Sequence, residues 1–135
     1  MSEENKAVIR RYFEEVWNQR NPDATDEFWA ADYVNHNAPP GMSDRESQKQ
    51  LIAMYQAAFH GQVAIEDQIA EGDRVVTRWS GQSTHQGEFM GIPPTGKTVK
   101  LTGISIDRVA GGHIVESWWE SDQLGMMQQL GVVPS

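Results

Sequence analysis

Cysteine is missing from this sequence. That excludes a disulfide frame and thiolate chemistry, and it fits a cytoplasmic setting. Long apolar runs are missing too. No stretch approaches the ~20 residues that span a bilayer, and the opening MSEENKAVIRRYF has no signal-peptide core, so no membrane partner is expected. Positive charge is scarce. Eleven Lys and Arg stand against nineteen Asp and Glu, a net charge of −8, and the basic residues are scattered. Nucleic acid and anionic lipid need clustered cations, so neither is expected as a partner. The histidines at 36, 60, 85 and 113 show no H-x-x-x-H spacing, and no metal site is expected.

What is present is an ordinary globular composition, 39% hydrophobic with five tryptophans in 135 residues. A chain of this length forms one domain, 1–135, burying about two-thirds of its unfolded surface. Residues 3 to 20 read as an amphipathic helix, with Ile9, Phe13, Val16 and Trp17 at helical spacing. NQRNPD breaks it, and Asn21 with Pro22 opens a second, short helix through Phe28 and Trp29. NHNAPPGMS is a loop. SDRE then reads as a capping box, Ser43 with Glu46, starting a third helix.

After Gly61 the period changes. VAIEDQIA, RVVTRWSGQSTH, TVKLTGISIDRVA and HIVESWWES are rich in β-branched and aromatic residues, with Gly or Pro between them. EGD at 71–73 and AGG at 110–112 read as hairpin turns, so those pairs should be antiparallel. SDQLGMMQQLG closes as a short helix, capped by Ser121 or Asp122 and stopped at Gly131. Helices followed by antiparallel strands give an α+β layer. N-terminal helices lie over the concave face of a curved antiparallel sheet, a cone that encloses a pocket.

The order of these pieces resembles the NTF2-like superfamily, and the motifs resemble its SnoaL-like polyketide cyclases. The stretches that carry the likeness are VIRRYFEEVWNQRNPDATDEFWAADYVNHN, IAEGDRVVTRWSGQSTHQGEFMGIPPTGKTV and GISIDRVAGGHIVESWWESDQLGMMQQLGVVP. Together they span nearly the whole chain. The resemblance implies acid/base chemistry without cofactor or metal: an intramolecular aldol condensation or isomerisation of a small, flat, hydrophobic carbonyl compound. Such chemistry needs a base for the proton alpha to the carbonyls and a donor for the developing alkoxide.

Site residues follow by position. The family's acid/base aspartate on the last strand falls at Trp119, and its polar groups on the preceding strand fall at Gly103 and Ser105. Asn35 matches a pocket residue directly. With the aspartate gone, His36 is one candidate base, since imidazole titrates near neutral pH. His85 with Glu88 in THQGEF is another, an oriented acid/base pair beside GIPPTG. Arg78 and Trp79 alternate on a central strand. One of them faces inward, and Arg78 there would bind a carboxylate or ester. The superfamily's epoxide-hydrolase constellation would fall at Glu88, Gln86 and Trp119, which lack its arginine and one carboxylate.

In VESWWESD, alternation puts Ser117, Trp119 and Ser121 on one face and Trp118, Glu120 and Asp122 on the other. We take Trp119 as the cavity side. Two readings stay open: an enzyme of the cyclase type using His36 or His85, and a non-catalytic binding module whose pocket has become aromatic. Trp118, Ile104 and Ile106 on the outer face would leave an apolar patch, and a homodimer through that face is expected.

Overall fold

The computed structural model describes residues 2–134. Helix α1 (Ser2–Tyr12) runs into a wider π-helical segment, Phe13–Asn18. There Gln19 N–H reaches Glu14 O at 2.9 Å and Asn21 N–H reaches Val16 O at 3.1 Å, spanning five residues each. Ile9, Tyr12, Phe13 and Val16 are buried together, at the i, i+3, i+4, i+7 spacing of a helix face turned to the core. A short 3₁₀ turn, Pro22–Ala24, has Pro22 at its first position and leads into α2 (Thr25–Phe28).

The chain then makes a strand that the sequence pattern does not announce. Strand β1 (Trp29–Asn35) pairs parallel with the last strand, so the sheet is mixed rather than wholly antiparallel. Helix α3 (Arg45–Ala58) follows. Its N-cap is Asp44, not Ser43, and no capping-box bond forms. Ser43 is drawn away because its carbonyl accepts from Asn35 N–H at 2.9 Å, tying the loop to β1. Four long strands complete the sheet: β2 (Phe59–Glu71), β3 (Arg74–His85), β4 (Thr98–Ala110) and β5 (His113–Ser121). The order is β1-β5-β4-β3-β2, and the two expected hairpins are antiparallel. Gly72, Gly111 and Gly112 take the positive φ that their tight turns demand. Helix α4 (Gln123–Leu130) starts at Asp122, whose Oδ1 accepts from Gly125 N–H at 2.9 Å, and stops at Gly131.

Alternation along the strands separates two faces. In β4, Val99, Leu101, Ser105, Asp107 and Val109 are buried, and the residues between them are exposed or half-buried. Two apolar clusters fill the inner side. One joins Ile9, Tyr12, Phe13 and Val16 to Trp29, Tyr33, Val75 and Ile114; the other joins Phe59, Phe89, Val99 and Leu101 to Met126 and Leu130. Trp79 packs against both. Between them the cone stays open. No helix of the structure is long and apolar enough to cross a membrane.

Candidate functional site

The space between the clusters is a cavity of about 640 Å³. Its walls are mostly aromatic and aliphatic: Tyr12, Phe13 and Trp17 from the first helical segments, Ile52 and Tyr55 from α3, and Trp79, Leu101 and Trp119 from the sheet. Met54 and Met90 are exposed at its edge. Among the lining residues the only cation is Arg20, and it is already engaged: its guanidinium donates to the carbonyls of Phe59, at 3.0 Å, and Gln56, closing the end of α3.

The last-strand register decides which tryptophan faces in. Trp119 pairs with Ser105 and lines the cavity beside Tyr12 and Trp29, each 6.3 Å away between ring centroids. Trp118 pairs with Ile106 on the other face, stacked on His36 and under the guanidinium of Arg74. Ser105 lines the cavity, is buried, and its Oγ has no hydrogen-bond partner among the described residues. Asn35 also lines the cavity, but its amide is occupied at both ends. Nδ2 donates to Gln48 Oε1 at 3.0 Å and Oδ1 accepts from Asn37 N–H at 3.2 Å, so the side chain anchors the loop after β1.

The two candidate bases, and Glu88 with them, lie elsewhere. His36 is exposed on the outer face, where Nε2 meets Glu116 Oε1 at 2.7 Å in a network that includes Arg108 and Asp73. It is placed there because it follows Asn35, whose side chain turns inward, and alternation sends the next one out. His85 is wholly buried but outside the cavity wall. It stacks on Phe59, and Nδ1 holds the GIPPTG connection through Thr95 Oγ1 at 3.0 Å and Thr95 N–H at 3.2 Å. Glu88 is exposed and does not pair with it. Arg78 is exposed in a shallow outer depression with Glu66, Lys100 and Ile104, since Thr77 and Trp79 take the inward positions of β3. Of the seven candidates, Asn35, Ser105 and Trp119 come together at the cavity, and His36, His85, Glu88 and Arg78 do not.

Asp107 is the residue that sequence reasoning passes over. It lies one row beyond Ser105 on the same face of β4, opposite Ser117, and is 1% exposed. Ser117 Oγ donates to its Oδ1. Burial pushes its pKa from the ordinary carboxylate range up to about 6, against the Ser117 bond and smaller opposing effects of Trp119 and Ser105. Ser105 makes no bond of regular geometry to it, yet stands near enough to favour its charge. The signal was available in GISIDRV: once Ser105 faces inward, a period of two puts Asp107 there too.

Fold and cavity together define an NTF2-like α+β cone with an aromatic interior. Residues 7–130 match the SnoaL-like polyketide cyclase family, and the chain belongs to that family. Among solved structures, IdmH from Streptomyces antibioticus, described as "a putative polyketide cyclase", is 35% identical with a TM-score of 0.82, over 94% of this chain and 98% of that one. A "putative polyketide cyclase" from Acidithiobacillus ferrooxidans is 29% identical with a TM-score of 0.84, over 96% and 95%. AclR from Streptomyces galilaeus, a "putative hydroxylase", is 29% identical with a TM-score of 0.90, over 100% and 85%. No curated protein sequence matches the chain.

Proposed function

We propose that the cavity binds a small, flat, largely apolar carbonyl compound and performs cyclase-type acid/base chemistry on it, an intramolecular aldol closure or an enol-forming isomerisation. The observation that carries this reading is the contrast within the cavity. Aromatic walls suit a flat ring system, and one buried hydroxyl without a partner, Ser105, faces the space that a ligand would fill. Family membership supports the same class of reaction. A cytoplasmic homodimer, joined through the outer face of the sheet around Ile104 and Trp118, completes the proposal; Ile104 is 49% exposed there.

Trp119 at the family's carboxylate position favours a second reading, in which the protein binds such compounds without turning them over. Deuterium exchange separates the two. With 1-phenyl-1,3-butanedione as a flat enolisable probe, an enzyme accelerates exchange of the protons between the carbonyls. A binding module takes up the probe and leaves its exchange rate at that of buffer.

A further inference from the structure

The interior end of the cavity holds an arrangement that the family's last-strand carboxylate does not account for. Three rows of side chains cross the inner face there, fixed by strand register. Gly103 stands between Trp79 and Ser121, Ser105 between Thr77 and Trp119, and Asp107 between Val75 and Ser117. The cavity reaches the Ser105 row and stops; Ser105 and Trp119 line it, and Asp107 lies beneath them. A ligand at the floor therefore meets Ser105 and Trp119 before the carboxyl, and of these two only the serine hydroxyl can both accept a proton and give one.

We propose that Ser105 and Asp107 form a two-residue proton relay that ionises an enolic or phenolic hydroxyl of the bound compound. This rests on the reading that the cavity takes a flat carbonyl compound, and it narrows that class to enolisable 1,3-dicarbonyls and their phenolic relatives. The ligand's O–H bond, or in its keto form the C–H bond between the two carbonyls, breaks and that proton joins Ser105 Oγ. The proton that Ser105 carried passes to Asp107, and the electron pair stays on the ligand as an enolate. In a cyclisation that enolate attacks the second carbonyl carbon, and the relay run backwards returns the proton to the resulting alkoxide oxygen. A serine hydroxyl suits the middle place because it gives one proton and accepts another by simple rotation.

The surroundings of Asp107 fit a group that must hold a proton for part of each cycle. Ser117 fixes one carboxyl oxygen. The titratable groups facing it are Tyr12 from α1 and Tyr33 from β1, both kept as neutral phenols chiefly by burial. From β3 the facing residues are Val75 and Thr77, and from β5 Ser117 and Trp119, none of them charged. No cation among the residues acting on Asp107 holds its carboxyl permanently ionised, and burial brings its pKa to about 6, where it both takes and gives a proton near neutrality.

The test uses the full chain, 1-phenyl-1,3-butanedione and the deuterium exchange of its central protons, with binding followed separately by tryptophan fluorescence. Wild type should accelerate exchange along a pH profile that rises through about 6. Ser105→Ala and Asp107→Asn should each lower the rate about a hundredfold with binding retained, and the profile's inflection should vanish. Ser105→Thr, which keeps a hydroxyl, should retain most of the rate; it also speaks for the relay should Asp107→Asn not fold. Binding and exchange unchanged in Ser105→Ala would overturn the relay and leave the ligand class standing. Binding without exchange in wild type overturns the relay in favour of a binding module. Failure of wild type to bind the probe overturns both the ligand class and the relay built on it.

Discussion

The imidazole of His36 lies flat against the indole of Trp118, with ring centroids 4.7 Å apart and planes 19° from parallel. This pair sits on the side of the sheet away from the cavity, next to the Arg108–Glu116 ion pair. A base in that position cannot reach a ligand behind the sheet. His36→Ala should therefore leave probe exchange unchanged and cost less than about 1 kcal/mol, because the hydrogen bond to Glu116 that it removes is made by a side chain 41% exposed. Exchange rates and urea midpoints of the variant check both halves.

The two adjacent tryptophans give opposite expectations. Trp119 faces the cavity and Trp118 faces out. Binding of a flat aromatic probe should quench or shift indole emission. Trp119→Phe should remove a large part of that change, and Trp118→Phe should leave it intact. Equal responses from the two variants would place the ligand somewhere other than this cavity.

Asp107 sets a pH dependence of stability. Its folded pKa, about 6, lies above the ~3.9 of an unfolded aspartate. Between those values the folded state keeps a proton that the unfolded state has lost, so stability falls as pH rises through the window. About two pKa units correspond to roughly 3 kcal/mol. Asp107→Asn stays neutral throughout. It should be more stable than wild type above pH 6, by up to that amount, and lose the advantage by about pH 4. Urea midpoints of both proteins at pH 8 and pH 4 measure the difference; no gain at pH 8 means the carboxyl ionises there without penalty.

Gly103 is small for a packing reason. A Cβ built there would meet Trp79 Cζ2 at 2.3 Å and the Glu120 carbonyl at 2.7 Å. Gly103→Ala should push the Trp79 ring from its place between the two clusters and cost about 1–3 kcal/mol. Thermal unfolding and the near-ultraviolet circular dichroism of the variant report this together.

The proposed homodimer has its own test. Light scattering at micromolar concentration should give twice the chain mass, and Ile104→Glu should halve it without altering probe binding. A monomeric wild type removes the dimer from the proposal.

The long strands, both hairpins and the caps of the last helix are legible in the sequence because period-two patterning and turn chemistry are local. Strand β1 is not. WAADYVN carries no clean alternation, and its pairing is with a segment some eighty residues later. The site divides along the same line. Ser105 and Trp119 follow from alternation once one face is known to be the inner one. Histidines attract attention by their usual pKa, yet His36 and His85 are placed by alternation and by loop packing. Asp107 escapes notice because an aspartate in a strand looks like solvent-facing charge until its neighbours on the inner face are counted.

The sheet's order leaves β2 and β1 at its margins. Strand β2 is thirteen residues long, enough to invite another chain to pair along it. The ladder to β3 slips between Ile65 and Asp67, and Glu66, Asp67 and Glu71 crowd the same strand with like charge. Strand β1 is short, its own register breaks between Trp29 and Val34, and α3 packs against it. Each margin is thus kinked, charged or covered, which discourages sheet-to-sheet polymerisation in a protein whose interior is so rich in aromatic rings.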